Sequence, residues 1–133
     1  MAFVSGLKCR ECGRESPPEP LNVCDFCFGP LEVVYDYSTI AEVISHDRIS
    51  RGPLSIWRYH ELLPANNDDP VDIMAGFTPL IKSRNLGKKL GLRNLYIKND
   101  SVNPSFSFKD RPVSVAATKA VEFGFDTLAC AST

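Results

Sequence analysis

Apolar and polar positions alternate legibly in the second half of the chain. NLYIKND, at residues 94–100, places apolar side chains at every other position, the period of a half-buried strand. The period then changes. In SFSFKDRPVSVAATKAVEF, Val113, Ala116, Ala117, Ala120 and Val121 recur at helical spacing, which predicts a helix laying a small apolar stripe on a sheet. Pro112 is tolerated only in a first helical turn, so this helix begins near Phe108 or Lys109, and Gly124 stops it. DTLACA reads as a second strand of the buried type. Strand, helix and strand at these lengths predict a parallel βαβ unit, hence an open α/β sheet.

Upstream the elements are shorter. LEVVYDY is a strand-like run that ends a cysteine-bearing unit. STIAEVISHDRISRG, at 38–52, predicts a short helix capped by Ser38 or Thr39 and closed by Gly52-Pro53. SIWRYHELLP gives another short amphipathic piece with Trp57, Leu62 and Leu63 on one side. ANNDDP is a loop by composition. FTPLIKS is an extended segment and RNLGKKLGL a short helix. Three parts follow: a zinc-ribbon-like unit at 1–37, a helical linker at 38–76, and the start of an α/β domain at 77–133.

Composition narrows the function classes. Fifteen basic and sixteen acidic side chains in 133 residues leave a formal charge of −1, so no global field favours nucleic acid or an anionic membrane. No apolar run reaches spanning length, and MAFVSGLKCRECG lacks the features of a secretory signal, so a cytoplasmic protein is expected. TLACAST ends at Ser132-Thr133 with no helix behind it. That ending reads as the first part of a longer polypeptide.

Cys9-x-x-Cys12 and Cys24-x-x-Cys27 form two knuckles separated by eleven residues. Each lets a tight turn aim two thiolates at one point, and two such turns complete a tetrahedral four-cysteine site. Gly13 and Gly29-Pro30 suit those turns. So short a unit has little core of its own, and a structural Zn²⁺ would supply stability. Zinc is preferred over disulfides or free thiols in a reducing compartment. A nucleic-acid reader is disfavoured by charge: Lys8, Arg10 and Arg14 face Glu11, Glu15, Glu19, Asp25, Glu32 and Asp36. Cys130, distant in sequence, is expected to be a small buried hydrophobe.

Lys109 is the second chemical signal. It stands at a helix start, where aligned peptide dipoles disfavour a cation, with Arg111 close by. Both effects favour a neutral amine, and partial burial beside Phe106 and Phe108 would add to them. A neutral amine is a nucleophile toward carbonyls. A solvated lysine with a local Lys–Asp pair is the plainer alternative.

The segment NPSFSFKDRP resembles the N-P-T-x-S-F-K-D-R segment of fold-type-II pyridoxal-phosphate enzymes (the tryptophan synthase β-like fold). LYIKNDSVNPSFSFKDRP is most similar to the threonine synthase branch of that family. Gly76-Phe77-Thr78-Pro79-Leu80 resembles the family's G-x-T-P-L segment, ACAST resembles the beginning of its A-S-T-G-N loop, and a four-cysteine ribbon precedes one of its branches. Ser105 stands where threonine is usual, a change that keeps the hydroxyl.

The resemblance implies that Lys109 carries pyridoxal 5'-phosphate as a Schiff base and then shuttles protons. It also implies that Phe108, Ser107 and Ser105 adjoin the cofactor, and that Ser132 and Thr133 open the substrate-binding loop. Asp110 and Arg111 would fix the local fold. The implied reaction converts O-phospho-L-homoserine and water to L-threonine and phosphate, with no nucleic-acid or membrane partner, and allows a homo-oligomer at full length. Sister activities (cysteate synthase, threonine dehydratase) and a non-catalytic zinc module are the alternatives. The glycine-rich phosphate loop and the partner of the pyridine nitrogen are not found in these residues, so the chain alone is expected to be inactive.

Overall fold

The computed structural model describes residues 3–65 and 68–130. The architecture is mixed α/β. It begins with three antiparallel strands, β1 (Val4–Cys9), β2 (Glu15–Ser16) and β3 (Leu31–Tyr35), in the order β2-β1-β3. Cys9 pairs with Leu31 and Lys8 with both Glu15 and Glu32. The two cysteine knuckles are the turns of this sheet.

Asp36 then caps α1 (Tyr37–Val43). Its carboxylate accepts the Thr39 backbone N–H at 3.1 Å and the Ser38 hydroxyl at 2.7 Å. The cap is therefore Asp36, and Ser38 and Thr39 are its donors instead of caps: a carboxylate accepts several hydrogen bonds at once and suits the positive helix end. The stretch expected to be one helix is two. Ser45 caps α2 (His46–Arg51), and Gly52 closes it.

A 3-10 helix follows at Ile56–Leu62, kinked at Tyr59. At that pitch Trp57 and Glu61 turn inward, while Leu62 remains exposed. The expected grouping of Trp57 with Leu62 thus fails. Next come β4 (Leu80–Lys82), α3 (Arg84–Leu90), β5 (Tyr96–Lys98) and α4 (Asp110–Glu122). Strands β4 and β5 pair antiparallel, Ile81 opposite Ile97. Gly91, in the left-handed region at φ +68°, ends α3 and turns the chain back.

Two expectations are corrected here. DTLACA is not a strand through Cys130, because a strand needs a neighbour to share its ladder, and β4 and β5 bond only to each other among the described residues. No parallel βαβ unit forms among the described residues in consequence, and Cys130 is exposed.

The buried face of α4 is also not the apolar stripe. Asp110, Ser114 and Thr118, one turn apart, are the buried positions, whereas Val113 and Val121 are exposed. Polar groups inside must be bonded, and these are. Ser114 Oγ accepts from Trp57 Nε1 at 3.0 Å and donates to the Val71 carbonyl at 2.6 Å. Thr118 Oγ1 accepts the Val71 N–H at 2.9 Å. This seam fastens the segment before β4, and fully buried Trp57, to the helix carrying Lys109. No helix among the described residues is long and apolar enough to cross a membrane.

Candidate functional sites

The four knuckle cysteines converge. All four Sγ atoms lie within 4.8 Å of one another, with Cys9 to Cys27 at 3.4 Å and Cys12 to Cys24 at 3.7 Å. A tetrahedral ion bound at about 2.3 Å from each sulfur sets its ligands about 3.8 Å apart. The cluster therefore comes within about 1 Å of a tetrahedral metal site, a difference that small side-chain shifts close.

Matching turns produce it. The Cys9 carbonyl accepts from Gly13 N and the Cys24 carbonyl from Phe28 N, both at 3.0 Å. Gly13 and Phe28 take the same left-handed conformation, at φ +74° and +58°. A Cβ on Gly29 would lie 2.7 Å from Glu11 Cγ and 3.0 Å from Cys9 Sγ, so a side chain there would displace Glu11 and press on the sulfur.

The thiols share their hydrogens unevenly. The Cys12 backbone N–H, opposed by burial and helped by Glu11 N–H, lowers the Cys9 thiol to about 7. At Cys27 the Gly29 N–H acts in the same direction. The neighbouring sulfurs, Cys9 first, outweigh it and push that thiol up to about 12. Four crowded sulfurs cannot all ionise beside one another without a cation. The surrounding cations are paired with acids, Lys8 with Glu15, Arg10 with Glu32 and Arg14 with Asp25, which leaves no open basic face.

The second site is the loop before α4. Asn103, buried, accepts the Gly76 N–H at 2.9 Å and donates to the Asp100 carbonyl at 2.7 Å. At the other end the Asp110 carboxylate accepts the Ser105 N–H at 2.7 Å and the Ser105 hydroxyl. Asp110 also places a negative charge in the first turn of α4. Next to it Arg111 forks onto Asp100, Nε to Oδ2 at 3.0 Å and Nη2 to Oδ1 at 2.6 Å, while Thr78 Oγ1 donates to the same carboxylate at 2.8 Å. Arg111, then Thr78, hold the Asp100 carboxyl down at about 2.

Lys109 occupies the N-cap position of α4, its backbone N–H donating to Ser107 Oγ at 3.2 Å. Clamped at Asn103 and Asp110, the loop between them stands outward, with Phe106 in the left-handed region at φ +58°. Lys109, Phe108 and Phe106 are consequently exposed, the last by 83%. The expected partial burial of the amine is not found. Ser105, Ser107, Phe108 and Lys109 do share one short loop, although the Ser105 hydroxyl is engaged by Asp110. Ser132 and Thr133 lie outside the described residues. Sequence reasoning missed Asn103, Thr78 and Asp100 as the frame of this loop. Their signal was the clustering of small polar residues in FTPL and KNDSVNP.

Residues 71–133 match the family model described as pyridoxal-phosphate dependent enzyme. The chain is similar to threonine synthase of Methanosarcina acetivorans, 46% identical over 128 residues, which is 96% of this chain and 31% of that protein. It is 38% identical to threonine synthase of Methanocaldococcus jannaschii, over 95% of this chain and 31% of the relative. Threonine synthase of Bacillus sp. strain ULM1 is 46% identical over 77 residues, 57% of this chain and 22% of that protein. The chain thus spans about a third of the length of the first two relatives. No solved structure matches it.

Proposed function

We propose, on the premise that residues 71–133 belong to the pyridoxal-phosphate dependent enzyme family, that this chain contributes the cofactor-bearing lysine of a threonine synthase. The observation that carries this reading is similarity along nearly the whole chain, converging on a lysine whose backbone is fixed from both sides. The Lys109 amine is exposed on a braced loop, so an aldehyde can reach it to form a Schiff base, and the residues have room for the group on that open side.

When bound, pyridoxal 5'-phosphate supplies an electron sink for carbanion chemistry. Lys109 Nζ is the atom that would hold it, and the same nitrogen takes up and returns protons as substrate C–H bonds break and form. Asp110 and Arg111 act on position: one binds Ser105, the other Asp100, and together they hold the first turn of α4. Phe108 and Ser107 flank the amine in sequence and would border the cofactor. Ser105 steadies the loop, its hydroxyl given to Asp110. Ser132 and Thr133 are assigned to the substrate side by resemblance. The substrate is O-phospho-L-homoserine, which with water yields L-threonine and phosphate. That assigns the whole protein to the carbon–oxygen lyases acting on phosphates.

The four cysteines hold one structural Zn²⁺ in a ribbon-like unit at 1–37. With all four positions filled by protein, that ion has no open site for catalysis. Residues 38–76 act as the helical linker, and 77–133 begin the fold-type-II domain.

The test is chemical trapping. Borohydride reduction of the protein that carries this chain, after addition of pyridoxal 5'-phosphate, is expected to label Lys109 in peptide maps and to fail in Lys109→Ala. Label spread over other lysines and unchanged in that variant would refute the assignment.

A further inference from the structure

A cavity of about 420 Å³ lies between α2 and the 3-10 helix, outside residues 71–133, which the family model matches, and lined by none of the residues around Lys109. Arg48, Arg51, Arg58, His60 and Ser45 line it, opposed by Asp47. Three guanidiniums against two carboxylates, Asp47 in the lining and Glu61 behind it, leave Arg58 as the unneutralised cation of this wall in a chain whose total formal charge is −1.

The three arginines are held differently. Arg48 donates to Glu61, a fully buried carboxylate behind the wall, and its Nη2 lies 3.0 Å from His60 Nε2. Arg51 reaches Asp47 at 3.0 Å on the surface, an exposed pair that gives up little when a better anion arrives. Arg58 has no carboxylate partner among the described residues. Its Nε and Nη2 donate to the Ile49 carbonyl at 3.1 and 2.8 Å, and its guanidinium lies 4.7 Å from the Phe77 ring centroid. A half-buried guanidinium fixed by a carbonyl and a ring keeps its charge and spare N–H donors for something else.

We propose that this cavity binds the phosphoryl group of a small phosphorylated metabolite. Arg58 and Arg51 supply the charge that answers it, and the Arg48–Glu61 pair keeps the wall in shape. The planar donor forks suit a tetrahedral oxyanion. The volume lies within the usual range for small-ligand sites, about 300–1,000 Å³, and exceeds what one phosphoryl group fills. Phosphate esters and free phosphate share this chemistry, and the experiment separates them.

Protein saturated with pyridoxal 5'-phosphate, so that the cofactor's own phosphate contacts are filled, is titrated calorimetrically with glycerol 3-phosphate, inorganic phosphate and malonate. Chloride holds the ionic strength constant. Saturable binding of a phosphoryl ligand is expected, weakened about tenfold or more in Arg58→Gln. Arg58 also braces the Ile49 carbonyl, so Arg51→Glu is the second variant. Its side chain is 79% exposed and, among the described residues, its ion pair is with Asp47, so reversing its charge should cost binding about tenfold or more without loss of fold. Tighter binding of glycerol 3-phosphate marks an ester as the ligand, and equal binding marks free phosphate. Heat that follows ionic strength alone, malonate binding as tightly as phosphate, or an unchanged affinity in Arg51→Glu would overturn the proposal.

Discussion

The cysteine unit and the α4 region solve the same difficulty, too little core, by opposite means. In the first, the buried side chains are Cys9 and Cys24 themselves, and order comes from a three-stranded ladder whose turns bring four sulfurs together. Everything it needs lies within about thirty-five residues. In the second, order comes from single side chains reaching far along the sequence. Ser114 joins Trp57, 57 residues away, and Asn103 joins Gly76, 27 residues away. The first site is complete in itself. The second is positioned but not enclosed, since the amine at its centre is exposed. A metal site can be made from one local motif, whereas a cofactor site needs walls from several.

The largest effect expected is on the first region. Cys24→Ser should reduce bound zinc from about one ion per chain to none, removing a binding free energy of about 10–16 kcal/mol that is also folding free energy for the ribbon. Metal analysis and the chain's single tryptophan report on the two regions separately. If Trp57 emission persists when zinc is lost, the regions are independent. If both vanish together, the contrast drawn above is wrong and the chain is one cooperative unit.

A middle-sized effect belongs to the seam. Ser114→Ala leaves the buried Trp57 Nε1–H without an acceptor and the Val71 carbonyl without this donor. A buried polar group left unpaired costs about 1–3 kcal/mol. The urea midpoint followed at Trp57 should fall accordingly, with zinc content unchanged. An unmoved midpoint would mean that the seam merely accompanies other packing.

The two regions also differed in how far the sequence announced them. Two C-x-x-C pairs with Gly13 and Gly29 state a local geometry, and the sulfurs do converge. The start of α4 at Asp110 and its stop before Gly124 were equally legible, because Pro112 and Gly124 carry backbone constraints that act locally. The orientation of α4 was not. Its alanine stripe was a fair amphipathic signal, yet Ser114 and Thr118 face inward because their partners at Val71 and Trp57 compensate the burial. Periodicity records hydrophobicity and is blind to partners so far away. The same blindness explains DTLACA: strand propensity was present, but a ladder requires a neighbour. For Lys109, the helix dipole was visible in sequence, whereas its exposure depended on the outward bend at Phe106.

The smallest effect expected is a pH dependence confined to the second region's clamp. The Asp100 carboxyl is held at about 2 in the folded protein, below its ordinary 3.8, by Arg111 and then Thr78. A carboxyl lowered by folding contributes stability that is fully present above its unfolded value. That contribution fades as pH drops from about 4 through about 2. Two other groups follow the same direction. Asp36 is held at about 2 by Thr39. Glu61, although its burial acts upward, is held low by its bond from Arg48. The acid limb of the wild-type curve is therefore shared, and a variant must isolate the clamp. Asp100→Asn should lower the urea midpoint near neutral pH and converge on wild type only as pH falls below about 2, where the Asp100 carboxyl is protonated and both side chains are uncharged. Curves that stay parallel from about pH 5 to pH 2 would show that the Arg111 fork orders the loop without adding to its stability. The frame beneath Lys109 would then rest on Asn103 and Asp110 alone.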